Sequence, residues 1–140
     1  MATQTQAGQF QKLVSEATRC WHMSLSRYAE SHLVGALITH MRDVNLFIFA
    51  TSRLVALLQD PRPLAASFII NGDRCLLLVG LFPDQIVRRK LSMQYYTSIG
   101  RTYYAQAMAR EPKARGVYYQ SIINEFEAMV RTLQIMRAQH

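Results

Sequence analysis

No apolar run in this chain reaches the roughly 18 residues that crossing a bilayer requires. The longest candidates are broken by Arg42-Asp43, by Arg53 and by Gly72-Asp73-Arg74. The opening MATQTQAGQF has neither the basic start nor the apolar core of a secretory signal. Cysteine is scarce: Cys20 and Cys75 each sit in apolar company and read as buried free thiols rather than a disulfide. These absences predict a cytoplasmic protein with no membrane span. Acids are also few, nine against sixteen basic residues, for a net charge of +7. Few carboxylates remain for acid–base pairs, and Glu125 and Glu127, two apart on a helix, point to different faces.

The chemical signatures are missing as well. There is no Gly-x-Gly-x-x-Gly, no Walker loop and no Gly-x-Ser-x-Gly, so neither a phosphate-cradling loop nor a nucleophile elbow is encoded. Of the four histidines, His22, His32, His40 and His140, the middle two are eight apart on one expected helix. Helical metal sites use closer sets, such as two histidines one turn apart with a carboxylate. No metal and no cofactor is implied.

What is present is helix. Half the residues are hydrophobic, enough for one core in a single domain of 140 residues. Phe10, Leu13, Val14, Ala17 and Trp21 recur at three and four and predict a first helix to about Met23. Ser24 or Ser26 can cap a second, with Tyr28, Leu33, Val34, Leu37, Ile38 and Met41 as its apolar face and Arg42 closing it. Asp43 or Asn45 can cap a third that runs through LFIFA to Leu58 and ends at Gln59-Asp-Pro-Arg-Pro63. LFIFA alone suits a short strand, but Leu54, Val55 and Leu58 continue the helical period from Phe47 and Thr51. A fourth helix is expected from Pro63 to Leu81, bent at Gly72. A fifth runs from Asp84 to Arg110, in two pieces that meet near Ser92. A sixth runs from about Ala114 to Arg137. The expectation is an all-α bundle of five to six helices, with neighbours mostly antiparallel because the connections are short.

The chain is organised around Gly72 to Tyr104. Leu76 to Val79 are apolar on consecutive positions, which marks a central helix with no wet side. Pro83 ends it, and Asp84 suits the first turn of the next. Tyr96, Gly100, Tyr103 and Ala107 form one stripe. A glycine between tyrosines makes a notch, which reads either as a helix crossing or as a ligand slot. Asp73, flanked by apolar runs, needs a partner if buried; Arg74, Arg88 and Arg89 are candidates, and a site acid is the lesser alternative. GDRCLLLVGLFP, the paired arginines and YYTSIGRTYY resemble the pattern of a family of small all-helical bacterial proteins with no assigned activity. Gly72, Asp73, Gly80, Phe82, Pro83, Arg88, Arg89, Tyr95, Tyr96, Gly100 and Tyr104 carry the likeness, over about a quarter of the chain. It implies a helical fold and a bacterial source, and no chemistry.

Charge is uneven: residues 1–60 hold five basic and four acidic side chains, residues 61–140 eleven and five, with the excess between Asp84 and Arg115. That field favours anionic partners. Three consecutive basic residues, Arg88-Arg89-Lys90, point in three directions around a helix, so specific nucleic-acid readout is not expected. Two functions fit. The first is a non-enzymatic interaction protein with a protein partner or a second copy of itself, motivated by apolar stretches such as 44–50. The second is a bundle binding a small anionic ligand in a pocket of tyrosine and arginine. Asp73, Arg88, Arg89, Tyr95, Tyr96, Gly100, Arg101, Tyr103 and Tyr104 are the candidate interface or ligand residues for both.

Overall fold

A computed structural model describes residues 2–20, 24–40 and 50–139. Among them every regular element is helical. The elements are α1 (Ala2–Cys20), α2 (Arg27–His40), α3 (Ala50–Gln59), α4 (Ala65–Leu81), α5 (Pro83–Arg88), α6 (Met93–Ala109), a 3-10 turn (Lys113–Arg115), α7 (Gly116–Asn124) and α8 (Phe126–Gln139). The all-α expectation holds, but eight α-helices replace five or six. The expected caps at Asp43 and Asn45, the stretch 44–50 up to residue 49, and Trp21, His22 and His140 lie outside the described residues.

The extra helices come from two subdivisions. The expected fifth helix is α5 plus α6. Pro83 occupies the first turn of α5, where its missing N–H costs nothing. The α5 end is closed by two backbone bonds, Lys90 N–H to Val87 C=O at 2.9 Å and Leu91 N–H to Ile86 C=O at 3.0 Å. This is the Schellman arrangement, which puts its penultimate residue in the left-handed region. That residue is Lys90, with φ 57°. An L side chain there costs roughly 1–2 kcal/mol that glycine would not. Ser92 then caps α6, its hydroxyl accepting from Tyr95 N–H at 3.1 Å. The expected sixth helix is nicked at Glu125, whose backbone leaves helical geometry while the i→i−4 bonds run on through Glu125 N–H and Met129 N–H.

One further boundary differs from the sequence reading, and one is decided between its two candidates. Pro63 does not open α4, because Leu64 is extended and the helix begins at Ala65. Ser26 rather than Ser24 caps α2, accepting from Ala29 N–H at 3.1 Å. Its own N–H donates to Glu125 Oε1 at 2.7 Å and ties the α2 start to the α7–α8 nick.

Helix α4 is central. Cys75 to Gly80 are buried without interruption, and α4 packs most extensively on α6 and next on α8. Close approach requires glycine at Gly72, Gly80 and Gly100, the Gly80 contact being with Leu133 of α8. A Cβ at Gly72 would lie 2.6 Å from Tyr104 Cε1, and one at Gly100 would lie 2.7 Å from Phe126 Cζ and 3.1 Å from Cys75 Cβ. The stripe of Tyr96, Gly100, Tyr103 and Ala107 is buried against these neighbours. The notch at Gly100 is therefore a packed helix crossing, not a slot. Cys75 is buried, as expected, but Cys20 is exposed, because it falls at the α1 end rather than on the core side with Val14 and Ala17.

Candidate functional site

The most concentrated chemistry lies where α2, α4, α6 and α7 meet. Gly72 lets α6 approach so closely that Tyr104 reaches across to the residue after it, Asp73. Tyr104 Oη donates to Asp73 Oδ1 at 2.7 Å. His32 Nε2 donates to the same oxygen at 2.7 Å. His40 Nε2 lies 3.5 Å from Oδ2. The other ring nitrogen of His32, Nδ1, hydrogen-bonds with the Tyr118 hydroxyl. The rings of Tyr104 and Tyr118 both meet the imidazole edge-on, at 5.3 and 5.6 Å.

The electrostatics follow from this geometry. Burial by itself would raise the Asp73 carboxyl. The hydrogen bond from His32, the His40 imidazole 3.5 Å away, the charge of His32 and the Tyr104 hydroxyl outweigh it and hold the group below its usual range. Tyr104 is driven well above the usual phenol range by burial, then by the adjacent carboxylate. Burial and Asp73 push Tyr118 up to about 12. The tyrosines are therefore neutral donors and not phenolate nucleophiles. Asp73, His32, His40 and Tyr104 are all buried; only Tyr118 is half-exposed, with Arg115 5.6 Å above its ring. The cluster can store a carboxylate in the core and couple four helices. No group of three or more histidine, cysteine or acidic side chains among the described residues is arranged to hold a metal.

Asp73 was expected to pair with Arg74, Arg88 or Arg89; two histidines and a tyrosine fill that role instead. The arginines after Pro83 are carried away from it by α5, and Arg88 and Arg89 are exposed. The candidate residues thus fall in separate places. Asp73 and Tyr104 belong to the cluster. Tyr96, Gly100 and Tyr103 belong to the buried crossing. Arg101 is half-buried between α6 and α8, donating to Ile123 C=O at 3.3 Å with Glu127 3.7 Å away. Arg88, Arg89 and Tyr95 lie at the α5–α6 turn, with Tyr95 exposed. The spacing of His32 and His40 argues against a metal site and for exposed or core-edge histidines, and does not by itself point to Asp73. The readable signal was different: a lone acid in an apolar helix, and two histidines two turns apart on the apolar side of another.

A second feature lies at the C-terminal end of α4. A cleft of about 470 Å³ is bounded by Phe10 and Leu13 of α1, Leu37 of α2, Leu81 and Phe82, and Met136 of α8. Arg88 and Gln85 of α5 edge it, with the ion pair of Asp84 and Arg137. Small-molecule sites fall at about 300–1,000 Å³, mostly apolar with a few polar groups that fix orientation. Arginine was expected in a pocket and is here; no tyrosine lines it.

No protein-family model, no curated protein and no solved structure matches this chain.

Proposed function

We propose that this is a non-enzymatic binding protein whose ligand is a small amphiphile, with an apolar body in the α1/α2/α8 cleft and an anionic head at Arg88. The observation that carries this reading is the cleft itself: six apolar side chains for walls and guanidinium groups at the edge. Arginine suits a carboxylate or sulfate head because its fork can hold two oxygens at once. The buried cluster supports the absence of catalysis from the other side, since Asp73, His40 and Tyr104 are closed off from any substrate. Titration calorimetry with dodecanoate, dodecyl sulfate and dodecanol tests the reading. Saturable binding of the two anions, weakened tenfold or more by Arg88→Ala, is expected. Equal affinity for the alcohol, or no saturable binding of any of them, would reject it.

A second reading rests on a different observation. Val55 and Leu58 on α3, and Leu64 and Ile70 beside the start of α4, are exposed apolar side chains. Exposed apolar surface on a small domain marks an interface, and a second copy of the chain is the simplest partner. Sedimentation velocity on the protein and on Val55→Ser with Leu58→Ser tests it; a monomer at all concentrations would remove the homodimer.

A further inference from the structure

We infer that the turn between α5 and α6 is a docking tip for an anionic lipid surface. Residues 87–92 are all exposed, and three consecutive basic side chains are flanked by apolar ones. Val87 is 64% exposed, Leu91 36% and Tyr95 41%; Arg88, Arg89 and Lys90 stand between them. Val87 stands largely in solvent and Leu91 is about a third exposed, both beside three cations. An anionic bilayer accounts for both: headgroup phosphates meet the cations while the apolar tips enter the interface, and tyrosine suits the boundary itself.

Charge complementarity extends beyond the tip. From Arg74 to Arg110 the sequence holds six basic side chains and one acid, Asp84, and Asp84 is engaged by Arg137. Helix α6 has no acid at all, and the single acid of α4 is the buried Asp73. Those are the two helices packed against α5, so neither opposes the field at the turn. The backbone gives a second, independent pointer. Lys90 stands in the left-handed position of the Schellman turn, where glycine would be cheaper. The chain keeps a charge at this exposed position at a cost in fold stability. Strain at an exposed site is a reason to look for a binding role there. This inference does not require the neighbouring cleft to hold a ligand.

Co-sedimentation with phosphatidylcholine vesicles, with and without one third phosphatidylglycerol, tests it at near-physiological salt. Binding to the anionic vesicles alone is expected, and it should weaken as salt rises. Each cation near such a surface contributes roughly fivefold in affinity. Arg88→Gln with Arg89→Gln and Lys90→Gln should therefore lower partitioning by roughly a hundredfold. Val87→Ser with Leu91→Ser should lower it at least tenfold with charge unchanged. Lys90→Gly is the most telling variant: its urea midpoint should rise while its partitioning falls roughly fivefold, so lost binding cannot be lost folding. Equal binding to neutral vesicles would overturn the inference. So would displacement by millimolar inorganic phosphate, which would indicate a lone anion site. Tight binding of random duplex DNA at the same salt, with vesicle binding indifferent to the Val87 and Leu91 changes, would replace the lipid surface by nucleic acid.

Discussion

Two places on α4, its closed middle and its open C-terminal end, solve opposite problems. At Gly72–Asp73 the helix is polar and closed: a glycine removes the space a side chain would fill, and Tyr104 enters it to reach a buried carboxylate. At Leu81–Phe82 the same helix is apolar and open, facing a cleft of about 470 Å³. Ordinary folding logic would put the polar group in water and the leucine in the core. The inversion shows what each place is for. A carboxylate with histidine and tyrosine partners fixes register among four helices. An apolar surface left unfilled is the part of the molecule free to hold something else.

The largest effect should come from breaking the closed middle. Asp73→Ala leaves the donors of His32 and Tyr104 buried without their acceptor. Removing one partner of a buried ionic pair costs about 3–5 kcal/mol. The loss should appear in urea unfolding with no change in dodecanoate affinity if any folded protein remains. Asp73→Leu combined with His32→Leu should cost less than the single change, since the His32 donor goes with its acceptor while the Tyr104 hydroxyl still loses its own. A double variant no better than the single one would show that the pair is not the unit of stability.

Next in size is the crossing. Gly100→Leu forces a side chain against Phe126 and the Cys75 Cβ, and overpacking of this kind costs about 1–3 kcal/mol. An unchanged urea midpoint would mean that α6 and α8 part easily, and that the closed middle is not closed.

The closed middle should also respond to alkali. Tyr104 lies well above the usual phenol range and Tyr118 near 12, whereas unfolded tyrosines titrate near 10. The folded state therefore keeps protons that the unfolded state releases. Stability from these groups is complete below about pH 10 and is lost as pH rises from there toward the folded values. Thermal midpoints measured from pH 8 upward should fall beyond pH 10, and Tyr118→Phe should flatten that fall. A midpoint indifferent to alkali would contradict the shifts.

Much of this was legible in the sequence. The apolar run from Leu76 to Val79 announced a central helix, Pro83 its end, Ser92 a cap, and the tyrosine–glycine stripe a crossing. These are local signals, set by period, by a fixed φ or by a missing Cβ. The partners of Asp73 were not legible, because the contact joins residues 32, 40, 73 and 104, and sequence spacing carries no information about which helices meet. Nearby arginines were the natural expectation; the Schellman turn and α5 carry them elsewhere. The split at Glu125 was hidden for a similar reason: no breaker marks it, and the residue is tied instead to Ser26, ninety-nine positions away. The cleft was invisible because it is made by what five separate helices fail to fill.

The smallest expected effect is the one that separates the two places most cleanly. Leu13→Phe adds bulk, as Gly100→Leu does, but at the open end. Leu13 is half-buried on α1, and its side chain borders the cleft rather than a packed neighbour's ring. A larger side chain there has space to occupy and gains contact with Phe10, Leu37 or Met136 without displacing them. The change in stability should stay within about 0.5 kcal/mol, the range of substitutions that meet no packed core. Affinity for dodecanoate should nevertheless fall, because the added ring takes volume the ligand's chain requires. Equilibrium urea unfolding and calorimetry on the same preparation read both quantities. A stability loss as large as that of Gly100→Leu would show that the cleft closes in solution. Unchanged stability with unchanged dodecanoate affinity would show that the cleft is real but is not where the anion binds.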